Sequence, residues 1–167
     1  MNKTVVGGGI ATLVAVSGLL AASPAAAEER TCRGTIGAVT LDNVRVPQGA
    51  TCRLDGTAVQ GTIKIENNAR LYATDVRVVG NIQGENHRRV EVRSSRVGGS
   101  IQIVQGETAL LRNNRVGQDV QSFENNGTQR FTNNRINGNL QCKENRPAPT
   151  GGGNTVGGNK EDQCRNL

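Results

Sequence analysis

The sequence predicts an all-β fold, a right-handed parallel β-helix of about seven short coils capped by disulfides. Three observations carry this prediction. The chain repeats every 19–20 residues from Asn43 onward. Apolar residues alternate within each repeat. Four cysteines form two pairs, each pair about one repeat apart in sequence. Composition agrees: Gly is 22 of 167 residues, Asn is 18, and aromatics are 2%. That leaves no ordinary aromatic-centred core. It also leaves too few rings for a sugar site built on stacked aromatics.

In chain order, the first element is an address. Residues 1–27 read as a secretory signal peptide. Lys3 supplies the positive start, Val5 to about Leu20 the apolar stretch, and Ala25-Ala26-Ala27 the small-residue cleavage site. The stretch is Gly-broken and short for a membrane span, so no span is expected after processing. Residues 28–167 then form one secreted β-helix domain, extracellular or associated with the cell wall.

The repeats follow. Units begin at Asn43, Thr62, Asn81, Ser100, Asp119 and Asn139, with lengths of 19, 19, 19, 19, 20 and 20. Position 2 reads Val44, Ile63, Ile82, Ile101, Val120, Leu140. Position 17, allowing one inserted residue in the last two units, reads Val59, Val78, Val97, Val116, Ile136, Val156. Position 19 is Gly in every unit but one, which has Gln118. Alternating apolar residues within a unit are the mark of short strands with one buried face. Inward pairs fall near positions 2/4, 10/12 and 15/17. That gives three strands per coil, with coils stacked about 4.8 Å apart. The uneven spacing disfavours a left-handed hexapeptide helix, and the leucine-rich frame is missing. The pairs Ser94-Ser95, Asn113-Asn114 and Asn133-Asn134 occupy one matching corner, where Asn tolerates the left-handed backbone and bonds its neighbours. The run Arg146–Gly153 reads as a loop of the last full coil, and the charged Asn159–Asp162 as cover for that end.

The cysteines fit the same geometry. Cys32 and Cys52 are 20 residues apart, and Cys142 and Cys164 are 22. Residues one coil apart lie within the Cα separation that a disulfide requires. The pairs Cys32–Cys52 and Cys142–Cys164 are therefore expected, one staple at each end of a solenoid whose ends need capping. Zinc is disfavoured, because there is no CxxC and only one His. No cofactor is expected.

The run from Gly138 to Cys164 resembles the C-terminal signature of small secreted β-helix proteins of actinobacteria. The segment Val44-Arg45-Val46-Pro47-Gln48-Gly49-Ala50-Thr51-Cys52 resembles their N-terminal one. This resemblance implies the fold and export and assigns no activity. A looser similarity connects the short Gly-marked coils to bactofilins, right-handed β-helices that polymerise end to end.

Function has to come from the outer faces. Position 16 carries Arg77, Arg96, Arg115 and Arg135 in consecutive coils, a basic stripe. Position 3 carries Gln83, Gln102, Gln121 and Gln141 one corner away. Regularly spaced donors suit a repeating anionic polymer such as an acidic glycan or a wall polymer. The plainer reading is a solvated face with glutamine ladders bonded along the axis. Glu66, Glu85, Glu107, Glu124 and Glu144 are placed to neutralise part of the stripe. Nucleic acid is disfavoured, since no aromatics interleave the basic residues. A glycan-active enzyme would have to rely on Glu124 and Glu144, which share position 6 in adjacent coils. His87, between Asn86 and Arg88-Arg89, reads as a solvated loop residue, and Tyr72 as edge packing. The sequence therefore points to a non-catalytic structural or adhesive protein of the cell envelope. The alternatives are a glycan-active enzyme and an end-to-end self-assembling protein.

Overall fold

A computed structural model of the protein describes residues 28–167; the expected signal peptide, 1–27, lies outside the described residues. Each coil contributes one short strand to each of three parallel sheets. The first sheet holds eight strands, from Glu29–Thr31 and Asn43–Val46 through Leu140–Lys143 to Lys160–Asp162. The second holds seven, from Gly34–Ile36 and Thr51–Asp55 to Thr150–Gly152. The third also holds seven, each of two residues, from Thr40–Leu41 to Thr155–Val156. Every strand pairs with its copy one coil away, so the chain is a β-solenoid of about seven turns. No helix of the described residues is long and apolar enough to cross a membrane.

The register follows the repeat columns. Val44 pairs with Ile63, Ile82 with Ile63 and Ile101, and Val120 with Ile101 and Leu140. These side chains are buried, as are Val59, Val78, Val97, Val116 and Ile136 of the third sheet. Branched apolar residues therefore stack on their own kind along the axis and fill a narrow interior. The period of two sends their neighbours outward.

Three corners carry polar columns, two of them buried. At the first, Ser94, Asn113 and Asn133 take left-handed backbone, with φ of 51°, 57° and 54°. The next residue in each, Ser95, Asn114 or Asn134, turns inward and is buried. Asn114 Oδ1 accepts the Ser95 amide at 3.0 Å, and Asn134 Oδ1 accepts the Asn114 amide at 3.1 Å. Asn154 Oδ1 accepts the Asn134 amide at 3.0 Å. A second column joins Asn125 and Asn145, with Asn145 Oδ1 accepting the Asn125 amide at 3.2 Å. A third runs through position 1, where Asn43, Thr62, Asn81, Ser100, Asp119 and Asn139 each accept the amide one coil on. Corners leave backbone donors without a ladder partner, and these side chains supply the acceptors.

Both disulfides form as the sequence predicts, Cys32–Cys52 and Cys142–Cys164, with Cα separations of 5.5 and 5.3 Å. Their placement differs from vertical stacking. The register that pairs Thr31 with Arg45 sets Cys32 beside Val46, while Cys52 pairs with Gly34 and Leu71. The first bond therefore crosses the interior from one wall to another. Two other expectations are corrected. The run Arg146–Gly153 is not wholly a loop, because Thr150–Gly152 is the last strand of the second sheet. Residues Lys160–Asp162 are a strand of the first sheet. The C-terminal end is covered instead by the turn that follows, with Cys164 buried and Leu167 packed on the core.

Candidate anion-binding surface

The stripe arises from the two-residue strands Arg77–Val78, Arg96–Val97, Arg115–Val116 and Arg135–Ile136. With two residues per strand, one side chain points in and one out; the apolar residue is buried and the arginine is exposed. Pairing places Arg77, Arg96, Arg115 and Arg135 in direct register, one per coil. At strand spacing the column spans about 14 Å.

Beside it lies an open groove of about 660 Å³, lined by the four arginines and by Val79, Gly98, Gly117 and Asn137. Its floor is nearly bare backbone. A Cβ on Gly98 would sit 2.4 Å from the Val79 carbonyl oxygen, and one on Gly117 2.1 Å from that of Gly98. Such contacts exclude any larger residue while the coils stack at this distance. Val79 is the more exposed of two large apolar residues at the surface among the described residues, at 55%. The groove thus sets a row of guanidinium groups against an uncharged, partly apolar strip.

The stripe makes no direct ion pair, and the nearby Asp75 lines a groove with Arg77, Arg96 and Arg115. None of the ion pairs among the described residues involves Arg77, Arg96, Arg115 or Arg135. The expectation that Glu66, Glu85, Glu107, Glu124 and Glu144 would offset it is corrected. Glu66 is bound by Arg45 at 3.2 Å, and this hydrogen bond holds its carboxyl below the ordinary glutamate value. Glu124 and Glu144 sit at left-handed corner positions, with φ of 55° and 58°. Glu124 accepts from Gln105 at 2.9 Å, and Glu144 lies 3.7 Å from Lys143. The two carboxylates are thus engaged with different neighbours.

Gln83, Gln102, Gln121 and Gln141 form a continuous ladder. Each Nε2 donates to the next Oε1 at 2.9, 3.0 and 2.9 Å, and Gln141 donates to Glu161 at 2.8 Å. They do not line the arginine groove. Gln102 both donates and accepts, so Gln102→Ala should lower stability by about 1 kcal/mol, the net value of partly exposed amide bonds. It should leave anion binding unchanged. Thermal unfolding and a binding titration of that variant check both statements.

His87 is the clearest departure from expectation. It is buried at 1% exposure rather than solvated. Gly84 leaves its inward position empty and Gly106 leaves room in the next coil, where a Cβ would come within 2.2 Å of the ring. The imidazole fills this space; the backbone of Gly84 and Thr108 approaches the ring, but neither ring nitrogen makes a hydrogen bond of good geometry.

Comparison with known protein families, with characterised proteins and with solved structures finds no match. Fold and surface together define a disulfide-stapled β-solenoid with an in-register arginine column on one flank. The disulfides are those of an oxidising, extracellular setting.

Proposed function

We propose that the protein is an exported, non-catalytic protein of the cell envelope that holds an extended anionic glycopolymer along its arginine flank. The observation that carries this reading is the column Arg77, Arg96, Arg115, Arg135. Its members are in register, one per coil, and make no ion pair among the described residues, Asp75 lying only in the adjoining corner groove. Like charges stacked in register destabilise a sheet, and a bound polyanion removes that cost. The neutral strip through Val79, Gly98 and Gly117 suits the C–H faces of sugars better than bases, which need aromatic platforms. The resemblance to secreted actinobacterial β-helix proteins agrees with export. The covered C-terminal end weighs against end-to-end polymerisation.

The test is binding to purified cell wall across a salt series, comparing the native protein with Arg77→Gln/Arg96→Gln/Arg115→Gln/Arg135→Gln. The native protein should bind with strong salt dependence. Loss of four contacts should make the log–log salt slope shallower by about 3, at roughly 0.7 per charge on a single-stranded polyanion. An unchanged slope would return the stripe to a solvated face.

A further inference from the structure

The second sheet presents a basic face of its own. Its strands carry Arg53, Arg70, Arg89, Arg93, Arg112 and Arg130 outward, against only Glu91 and Asp55. Two side chains organise it. Glu91, only 6% exposed, is clasped by Arg89 at 3.1 Å and by Arg93. The Tyr72 ring lies under the Arg53 guanidinium at 4.5 Å and the Arg89 guanidinium at 5.8 Å. These contacts hold part of the cationic layer flat on the sheet. Arg112 and Arg130 make no ion pair among the described residues. They border a groove of about 390 Å³ with Arg93, Leu110, Thr132 and Asn133. Like the first it carries unpaired arginines, but its surface is more polar, with Leu110 beside Thr132 and Asn133.

The two basic faces are separate walls of the same coils. The corner between them bends at Asp75, Ser94, Asn113 and Asn133, all exposed and left-handed, and Asp75, Ser94 and Asn113 line a shallow groove there beside Arg77, Arg96 and Arg115. A polymer lying along the axis in one groove cannot occupy the other without turning across this corner, past the Asp75 carboxylate.

We propose that the outer face of the second sheet is a second anion-binding site, so that the protein is bivalent and bridges two chains of an anionic glycopolymer. The bridging rests on the reading of the first flank given above; the second site does not. Bridging converts a binder into a cross-linker, with avidity set by the polymer rather than by either groove alone.

The experiment uses hexagalacturonate, short enough to lie along a single flank, and long polygalacturonate. A phosphate polymer of matched charge runs in parallel. Calorimetry should find two hexamers per native protein. The four-arginine glutamine variant should bind one, and so should Arg112→Gln/Arg130→Gln, each losing its own site at least tenfold in affinity. Arg112→Lys/Arg130→Lys should retain both sites, which separates loss of charge from loss of fold. Long polymer should produce turbidity at intermediate ratios with the native protein and none with either glutamine variant. The same stoichiometry with the phosphate polymer alone keeps the bridge and assigns its chemistry to phosphate. One hexamer per native protein overturns the proposal. If that hexamer is lost only with Arg112→Gln/Arg130→Gln, the reading of the first flank has failed. If it is lost only with the four-arginine variant, the second site has failed. Equal loss in both variants would mean one site wrapped around the corner.

Discussion

Asn134→Ala should lower the free energy of unfolding by about 4 kcal/mol, at about 1 kcal/mol for each of four buried hydrogen bonds. Asn134 is 3% exposed. Its Oδ1 accepts from the Asn114 amide at 3.1 Å and from Asn114 Nδ2 at 3.0 Å. Its Nδ2 donates to the Leu111 carbonyl and to Asn154 Oδ1, both at 2.9 Å. Truncation leaves the Asn114 amide and the Leu111 carbonyl without these partners inside a dry corner, and nothing nearby can replace them. The control is the residue before it. Asn133 is exposed and holds the left-handed turn at φ 54°, so Asn133→Ala should cost only about 1 kcal/mol of backbone strain. Urea unfolding of both variants provides the measurement. Equal losses would show that the corner depends on turn conformation alone and not on the buried ladder.

This contrast explains what the sequence made legible. Inward columns of Val, Ile and Leu recur at fixed spacing, so coils, register and cysteine pairs could be read directly. The arginine stripe was visible because it occupies a single column. The paired asparagines were visible because they repeat as a pair. The second basic face was not, since its arginines scatter over three columns and cohere only through Glu91 and Tyr72. Asn125 and Asn145 were missed because the loop beside them varies in length and blurs the alignment. Reading position 7 down the last four coils as His87, Gly106, Asn125, Asn145 would have exposed that polar column. The glutamates misled because closeness in sequence does not fix direction: Glu124 and Glu144 sit at corners and turn to other partners. The burial of His87 had no hydropathy signal, because its space is made by the side chains that Gly84 and Gly106 lack.

That buried imidazole should make the fold acid-labile. Burial pushes His87 from its ordinary value of 6.5 down to about 4, and the backbone of Gly84 and Thr108 offsets only part of this. Below pH 6.5 the unfolded chain takes up a proton on His87 that the folded chain refuses until about pH 4. Stability is therefore full above 6.5 and falls as pH drops through that window. At 1.36 kcal/mol per unit the loss reaches about 3 kcal/mol. The ring packs against Gly84 and Gly106, neither of which brings a charge to meet the imidazolium. Glu66 also favours unfolding in acid, since its carboxyl is lowered by Arg45, but it acts below its ordinary value of 4.5. His87→Phe separates the two effects, because it keeps a ring in the pocket and removes the titration. Its absolute stability reflects the fit of a larger ring, so the readout is the pH slope. Between pH 6.5 and 4.5 the native protein should lose stability steeply, and the variant should stay nearly flat. A variant as steep as the native protein would place the acid lability outside this pocket.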